Sequence, residues 1–273
     1  MKMKKPSEIY RKITIIACLM IITGFWSCQE VIHVDLNTAF PKLIIDATVS
    51  DQPGPYSVLL SQTVSYDQNN VFPPVTGAVV VINDNAGTTD TLVESTPGTY
   101  RTTRLQGIPG RTYTLTVKSN NTIYLAISTM PSPVAIDSIN IYNRFSSKDK
   151  LLSVSFFDPK GIPNYYRILE KVTNIQPPHQ RIILPVLGTL MTDGVLDGTE
   201  ISLLTFNQPD LYNGDSVLVS LQCIDKNVYN YFMSAMQTGN QSTTVSNPVT
   251  NITNGALGYF SAYAVRYKSI VVQ

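Results

Sequence analysis

Tyr113-Thr114-Leu115-Thr116-Val117-Lys118-Ser119-Asn120-Asn121-Thr122-Ile123-Tyr124-Leu125-Ala126-Ile127 carries apolar side chains at odd positions on both sides of an Asn-Asn pair. Successive side chains of a strand point to opposite faces. Period-two alternation broken by two turn-forming asparagines therefore predicts a hairpin with one wet face. Similar runs lie upstream, at Leu43 to Val49, Tyr56 to Ser61, Gly77 to Asn83 and Thr88 to Glu94. They are punctuated by Asp51-Gln-Pro-Gly-Pro55 and by the pairs Pro97-Gly98 and Pro109-Gly110, where proline fixes φ and glycine accepts positive φ.

Pro131-Ser132-Pro133 reads as a linker, because each proline drives the preceding residue towards extended geometry. Beyond it come candidate strands at Ile136 to Asn143, Leu151 to Phe157, Tyr165 to Thr173, Arg181 to Leu184, Ile201 to Phe206, Ser216 to Ile224 and Ala262 to Val272. Val228, Tyr231, Phe232, Ala235 and Met236 instead recur at helical spacing, with Asp225 placed to cap the start and Gly239 near the stop. The expected fold is all-β: two Ig-like β-sandwich domains in tandem, at 42–130 and 134–273, with one short helix, 226–237, in the second. The aromatic stripe of that helix is expected to pack on the sheet.

The first thirty residues set an address. Lys2, Lys4, Lys5, Arg11 and Lys12 precede an uncharged run from Ile13 to Trp26, the basic-then-apolar layout of an export signal. That run is shorter than the roughly 20 residues a spanning helix needs. Phe25 poorly fits a small-residue cleavage site, whereas Ser27-Cys28 resembles the lipobox of bacterial lipoproteins, with Phe25 standing where leucine is usual. Residues 1–27 are therefore expected to be a signal peptide, Cys28 the lipidation site and 28–41 a tether. Acyl chains on Cys28 would exceed the two lipid signals that stable anchoring takes. Without residues 1–27, 15 basic side chains stand against 18 acidic ones, a net charge of −3. Such a chain lacks the basic footprint of a nucleic-acid binder.

Chemistry is scarce. Of three cysteines, Cys18 lies in the signal and Cys28 is assigned to lipid. Cys223 remains, placed by alternation on one strand face with Val217, Val219 and Leu221, as a buried, inert thiol. The two histidines are His33, in the tether, and His179, in a proline-rich loop poorly suited to holding an imidazole in one orientation. No zinc cluster, Walker loop or dinucleotide fingerprint is present, and no cofactor or metal is expected. Asp193, Asp197 and Glu200, in Asp193-Gly-Val-Leu-Asp197-Gly-Thr-Glu200, lack EF-hand spacing and read as turn residues. They are also the acids a polymer hydrolase would have to use.

Two resemblances add to this reading. Residues 42–129, through Gly77-Ala-Val-Val-Val-Ile82, Pro97-Gly-Thr-Tyr100 and Pro109-Gly-Arg-Thr-Tyr113, resemble a carboxypeptidase-regulatory or transthyretin-like sandwich, with both tyrosines expected to pack inward. The whole chain resembles a Bacteroidota lipoprotein family, domain of unknown function 4249. The matching features include Pro53-Gly-Pro-Tyr56, Pro74-Val-Thr-Gly-Ala78, Asp197-Gly198, Ile224-Asp225 and Gly255-Ala-Leu-Gly-Tyr-Phe260. That resemblance implies a non-catalytic outer-membrane lipoprotein accessory to a TonB-dependent transporter, with a small-molecule or glycan ligand. A surface polymer hydrolase and an adhesin-like structural lipoprotein are the alternatives.

Overall fold

The computed structural model describes residues 40–65, 71–143, 150–174, 180–184, 187–205, 211–240 and 247–273. The signal peptide, the tether up to residue 39, Cys28, His33 and His179 lie outside the described residues. Among the described residues the fold is all-β with one α-helix, as expected. Among the described residues no helix is long and apolar enough to cross a membrane.

Strands β1 (Leu43–Ser50), β2 (Ser57–Gln62), β5 (Val93–Thr96) and β6 (Thr99–Arg101) make one sheet wall; β3 (Val79–Asp84), β4 (Thr89–Thr91), β7 (Thr112–Ser119) and β8 (Thr122–Thr129) make a second. Ile45, Ala47, Val58 and Leu60 from the first wall meet Val80, Ile82, Leu115 and Val117 from the second in the buried core. The expected strand Thr88 to Glu94 is two strands, β4 and β5, which belong to different sheets. Tyr100 and Tyr113 are buried, and their hydroxyls serve the backbone: Tyr100 donates to Val75 O at 3.0 Å, and Ile108 N donates to Tyr113 Oη at 2.7 Å.

Downstream, β9 (Ser138–Asn143), β10 (Lys150–Phe157) and β14 (Glu200–Thr205) form a three-stranded sheet. Opposite it lie β11 (Tyr165–Asn174), β12 (Arg181–Ile183), β13 (Thr189–Thr192), β15 (Ser216–Ile224) and β16 (Leu257–Val271). Phe156 of β10 and Tyr166 of β11 touch across this core, ring centroids 4.8 Å apart. Cys223 sits where alternation placed it, buried with Val217, Val219 and Leu221.

A seam joins the two halves. The expected last strand begins not at Ala262 but at Leu257, and its first half runs parallel to β1, from Ile44 opposite Leu257 to Ser50 opposite Tyr263. Its second half runs antiparallel to β15, from Cys223 opposite Ala264 to Ser216 opposite Val271. One nine-stranded sheet therefore passes through both expected sandwiches, and residues 42–130 rely on the far end of the chain for a strand. Gly258 makes this possible. Its φ is +92°, and a Cβ there would stand 2.0 Å from Ile45 O, so only glycine lets the backbones approach this closely.

The hairpin β7–β8 corrects the expectation that its odd-numbered apolar residues share a face. Asn120 and Asn121 both have positive φ, 47° and 64°, as a two-residue primed turn requires. That turn pairs Ser119 with Thr122 and Leu115 with Ala126. Odd positions of β7 thus share a face with even positions of β8. Ala126 and Ser128 are buried, while Ile123, Leu125 and Ile127 face outward.

Helix α1 (Lys226–Asn240) lies on the outer side of the joined sheet, with Val228 and Phe232 buried beside Ile224. Asp225 caps it, accepting from Asn227 N at 2.8 Å and Val228 N at 3.0 Å. The helix expected over 226–237 runs on to Asn240, past the Gly239 expected near its stop.

Candidate functional site

The acids singled out from sequence separate into two groups. Asp193 and Asp197 come together with Asp158, carboxylate oxygens within 4.8 Å of one another, while Glu200 begins β14 as an exposed residue outside the cluster. Asp158, at the end of β10, was missed because nothing local distinguishes it from any strand-ending aspartate.

Protein donors already occupy these three carboxylates. Tyr166 Oη and Gly198 N (3.1 Å) donate to Asp158; Asn164 N (2.9 Å) and Gly194 N (2.7 Å) donate to Asp193; Gly161 N (2.7 Å) donates to Asp197. Asp158 and Asp193 are buried and Asp197 is exposed. The arrangement staples the loop 158–164 to the loop 193–199. Gly194 and Gly198 take positive φ, the turn role expected of the two Asp-Gly pairs. A cation could reach the cluster only through the exposed Asp197, sharing oxygens that hold these loops. Cys223 is no nucleophile: burial pushes its thiol up to about 12, far from the depressed range of reactive cysteines.

A second group gathers under the helix. Arg167 of β11 lies 3.8 Å above the Phe232 ring and donates from Nε to Leu187 O at 2.8 Å. Tyr231 and Tyr259 pack at 4.8 Å, and Phe232 meets Tyr259 edge-on at 4.9 Å. Tyr259 also bonds Asp46 on the adjacent strand β1. Asp46 keeps part of its surface in water, yet crowding by this ring cluster pushes its carboxyl above the usual range, against the hydrogen bond from Tyr259 and the field of Arg167. The stripe read from the helix period is core packing, and Arg167 and Asp46 are its polar rim.

The concave surface lies on the other flank of α1. A groove of about 490 Å³ runs between β8, the first turns of the helix and the strap 249–253, lined chiefly by Leu125, Ile127, Asn227, Asn230, Val249 and Asn251. Its volume is that of a small-molecule site. The strap is fastened on three sides. Val249 N donates to Ser234 Oγ of the helix at 2.8 Å. Asn251 bonds β16 twice, from Nδ2 to Phe260 O at 2.7 Å and from Phe260 N to its Oδ1 at 3.0 Å. Leu125 N donates to Thr253 Oγ1 and Thr253 N to Leu125 O, each at 2.9 Å. At the groove's end, Ser128 of β8 donates to the capping carboxylate of Asp225 and accepts from Ala262 N at 2.8 Å. No lining residue ionises near neutral pH. Sequence reasoning missed this site because its walls come from three segments that meet only in the fold; the outward-turned Leu125 and Ile127 become visible once the turn parity is known.

No curated protein matches the chain. Among solved structures, a DUF4785 family protein from Legionella pneumophila aligns with 66% of this chain at 11% identity and a TM-score of 0.26. The aligned part spans 52% of the Legionella protein, about half its length. The profile of a domain of unknown function, DUF4249, matches residues 29–269. A match running from beside Cys28 into β16 takes in both sandwiches and the seam between them, and the chain belongs to the DUF4249 family.

Proposed function

We propose that this chain is a lipid-anchored, non-catalytic accessory protein of the Bacteroidota outer membrane, which captures an uncharged small molecule or glycan for a TonB-dependent transporter. Its first sandwich would be of the carboxypeptidase-regulatory kind. The observation that carries the reading is the groove: apolar walls with amide and hydroxyl groups, held in shape by the bonded strap, and lined by no acid, base or nucleophile. Such a lining suits binding rather than bond breaking. Two of the three acids that a hydrolase would need, Asp193 and Asp197, are engaged in fastening loops. The address rests on Ser27-Cys28 behind a basic-then-apolar leader.

Two measurements test it. Mass spectrometry of the membrane-extracted protein should find acyl groups on Cys28. Affinity capture of the tagged protein from gently solubilised outer membranes should recover a β-barrel transporter, and a Val249→Trp variant, which fills the groove, should abolish ligand uptake without dissociating that complex. An unmodified thiol at Cys28 refutes the address, and unimpaired uptake by Val249→Trp refutes the groove as the capture site.

A further inference from the structure

The end of the first sandwich where β1 begins gathers exposed apolar side chains. Neighbouring backbone segments meet there in a fixed order. Lys42 and Thr63 exchange bonds, with Lys42 N to Thr63 Oγ1 at 2.9 Å and Thr63 N to Lys42 O at 3.0 Å. Gln62 N donates to Pro73 O at 2.9 Å, and Leu60 N to Gly98 O at 2.8 Å. The chain then passes through residues 74–78 into the start of β3, where Val79 stands beside Lys118, and Lys118 beside Ile123. On this one end Phe40 is 92% exposed, Val71 74%, Val79 54%, and Phe72 and Ile123 49% each. The cations among them, Lys42 and Lys118, are exposed, whereas the acid of this end, Glu94, is turned to the amides Gly77 N and Gly98 N at 2.9 and 3.0 Å.

Among the described residues of this end, apolar side chains are interspersed with lysines and Glu94 is engaged by backbone amides, a composition that suits a surface resting at the headgroup level of a bilayer. The tether supplies the reason to place a bilayer there. Phe40 stands twelve positions after Cys28, so even fully extended the chain would keep this end within about 40 Å of an acylated cysteine. We infer that Phe40, Val71, Phe72, Val79 and Ile123, with Lys42 and Lys118, form a docking surface for the phospholipid leaflet that carries the anchor, holding the body against the membrane. The inference rests on the lipid-anchor reading above. It sets the groove beside the docked end, since Ile123 shares the outward face of β8 with Leu125 and Ile127.

The test uses the full lipidated protein in vesicles of phosphatidylethanolamine and phosphatidylglycerol. A tryptophan is placed at Phe72→Trp or, as a control on the loop 193–199, at Val195→Trp, a position 99% exposed. Cleavage after Ser27 removes Trp26, the single native tryptophan, so each reporter is unique. Brominated acyl chains are expected to quench the Phe72→Trp emission severalfold more than that of Val195→Trp, with a blue shift in the former alone. Replacing Lys42 and Lys118 by Gln should reduce the quenching without changing the melting temperature. Equal quenching at the two positions in a protein shown by mass spectrometry to be acylated and by flotation to be vesicle-bound overturns the docking surface while leaving the anchor intact. Quenching that appears only when a transporter is present also overturns it, since the occupant would then be protein. Loss of flotation together with an unmodified Cys28 refutes the anchor and the docking surface with it.

Discussion

Replacing Gly258 by alanine probes the seam between the two halves at its narrowest point. The new Cβ would lie 2.0 Å from Ile45 O and 2.8 Å from its carbonyl carbon, both backbone atoms of β1 that no side-chain rotation can move aside. Positive φ alone costs an L-residue about 1–2 kcal/mol, and forcing the strands apart adds about 1–3 kcal/mol or more. The sum, about 2–5 kcal/mol, is a large share of the roughly 5–15 kcal/mol that holds a domain together. For a chain of this size it corresponds to a fall of about 10 °C in melting temperature. Gly255→Ala is the matched control: φ is +73°, but nothing lies within 4 Å of the added carbon, so only the conformational cost of about 1–2 kcal/mol remains, or about 4 °C. Thermal unfolding of the Cys28→Ser variant, followed by circular dichroism, measures both. The reasoning is refuted if the two variants melt within about 2 °C of each other, because the backbone contact would then contribute nothing.

Asp90 is 1% exposed and accepts from the amides of Thr103, Arg104 and Leu105, each at 2.8 Å. Asp90→Ala strands these donors and should cost about 2–4 kcal/mol in urea unfolding; a loss below about 1 kcal/mol shows that water replaces the carboxylate. Burial alone would raise the carboxyls of Asp84 and Asp215, but Arg111 and Arg181 respectively, with nearby hydrogen bonds, hold both below the ordinary range. A depressed folded pKa contributes stability above the unfolded value and loses it as pH falls through the folded one, so the melting temperature should drop steeply below about pH 4. A flat acid limb contradicts this. Asp46 has the opposite sign, since its raised carboxyl favours the protonated form in the fold; Asp46→Asn should leave the melting temperature at pH 7 unchanged or higher, and a marked loss would make the carboxylate a structural partner of Arg167. Iodoacetamide should spare Cys223 in the native Cys28→Ser protein and label it in denaturant; native labelling would expose β15 to solvent.

Local patterns carried much of this architecture. Alternation located Cys223 among Val217, Val219 and Leu221, and the Asp225 cap with the Val228 and Phe232 spacing located the helix, because capping and periodicity act within one turn or one strand. The Asp-Gly pairs at 193 and 197 were legible as turns for the same reason. Pairing between distant segments was not. The parallel contact of β1 with β16 joins residues more than two hundred positions apart, and nothing in Leu43 to Val49 specifies that partner. Asp158 joins Asp193 and Asp197 only after β10 and β14 pair. The split of Thr88 to Glu94 between two sheets turns on buried Leu92, whose amide bonds Val80 O at 2.9 Å, a contact with no local signal.

Because β1 takes its parallel neighbour from residues 257–263, the amino-terminal half of this fold cannot be completed until that distant segment has been synthesised and has paired. Pairings of such sequence separation pay loop closure before any reward and form slowly. Completion of the amino-terminal half is therefore late, and it waits on a strand shared with β15. A frameshift or stop codon anywhere before position 257 removes the one strand that joins β1 to β15, and with it the middle of the nine-stranded sheet.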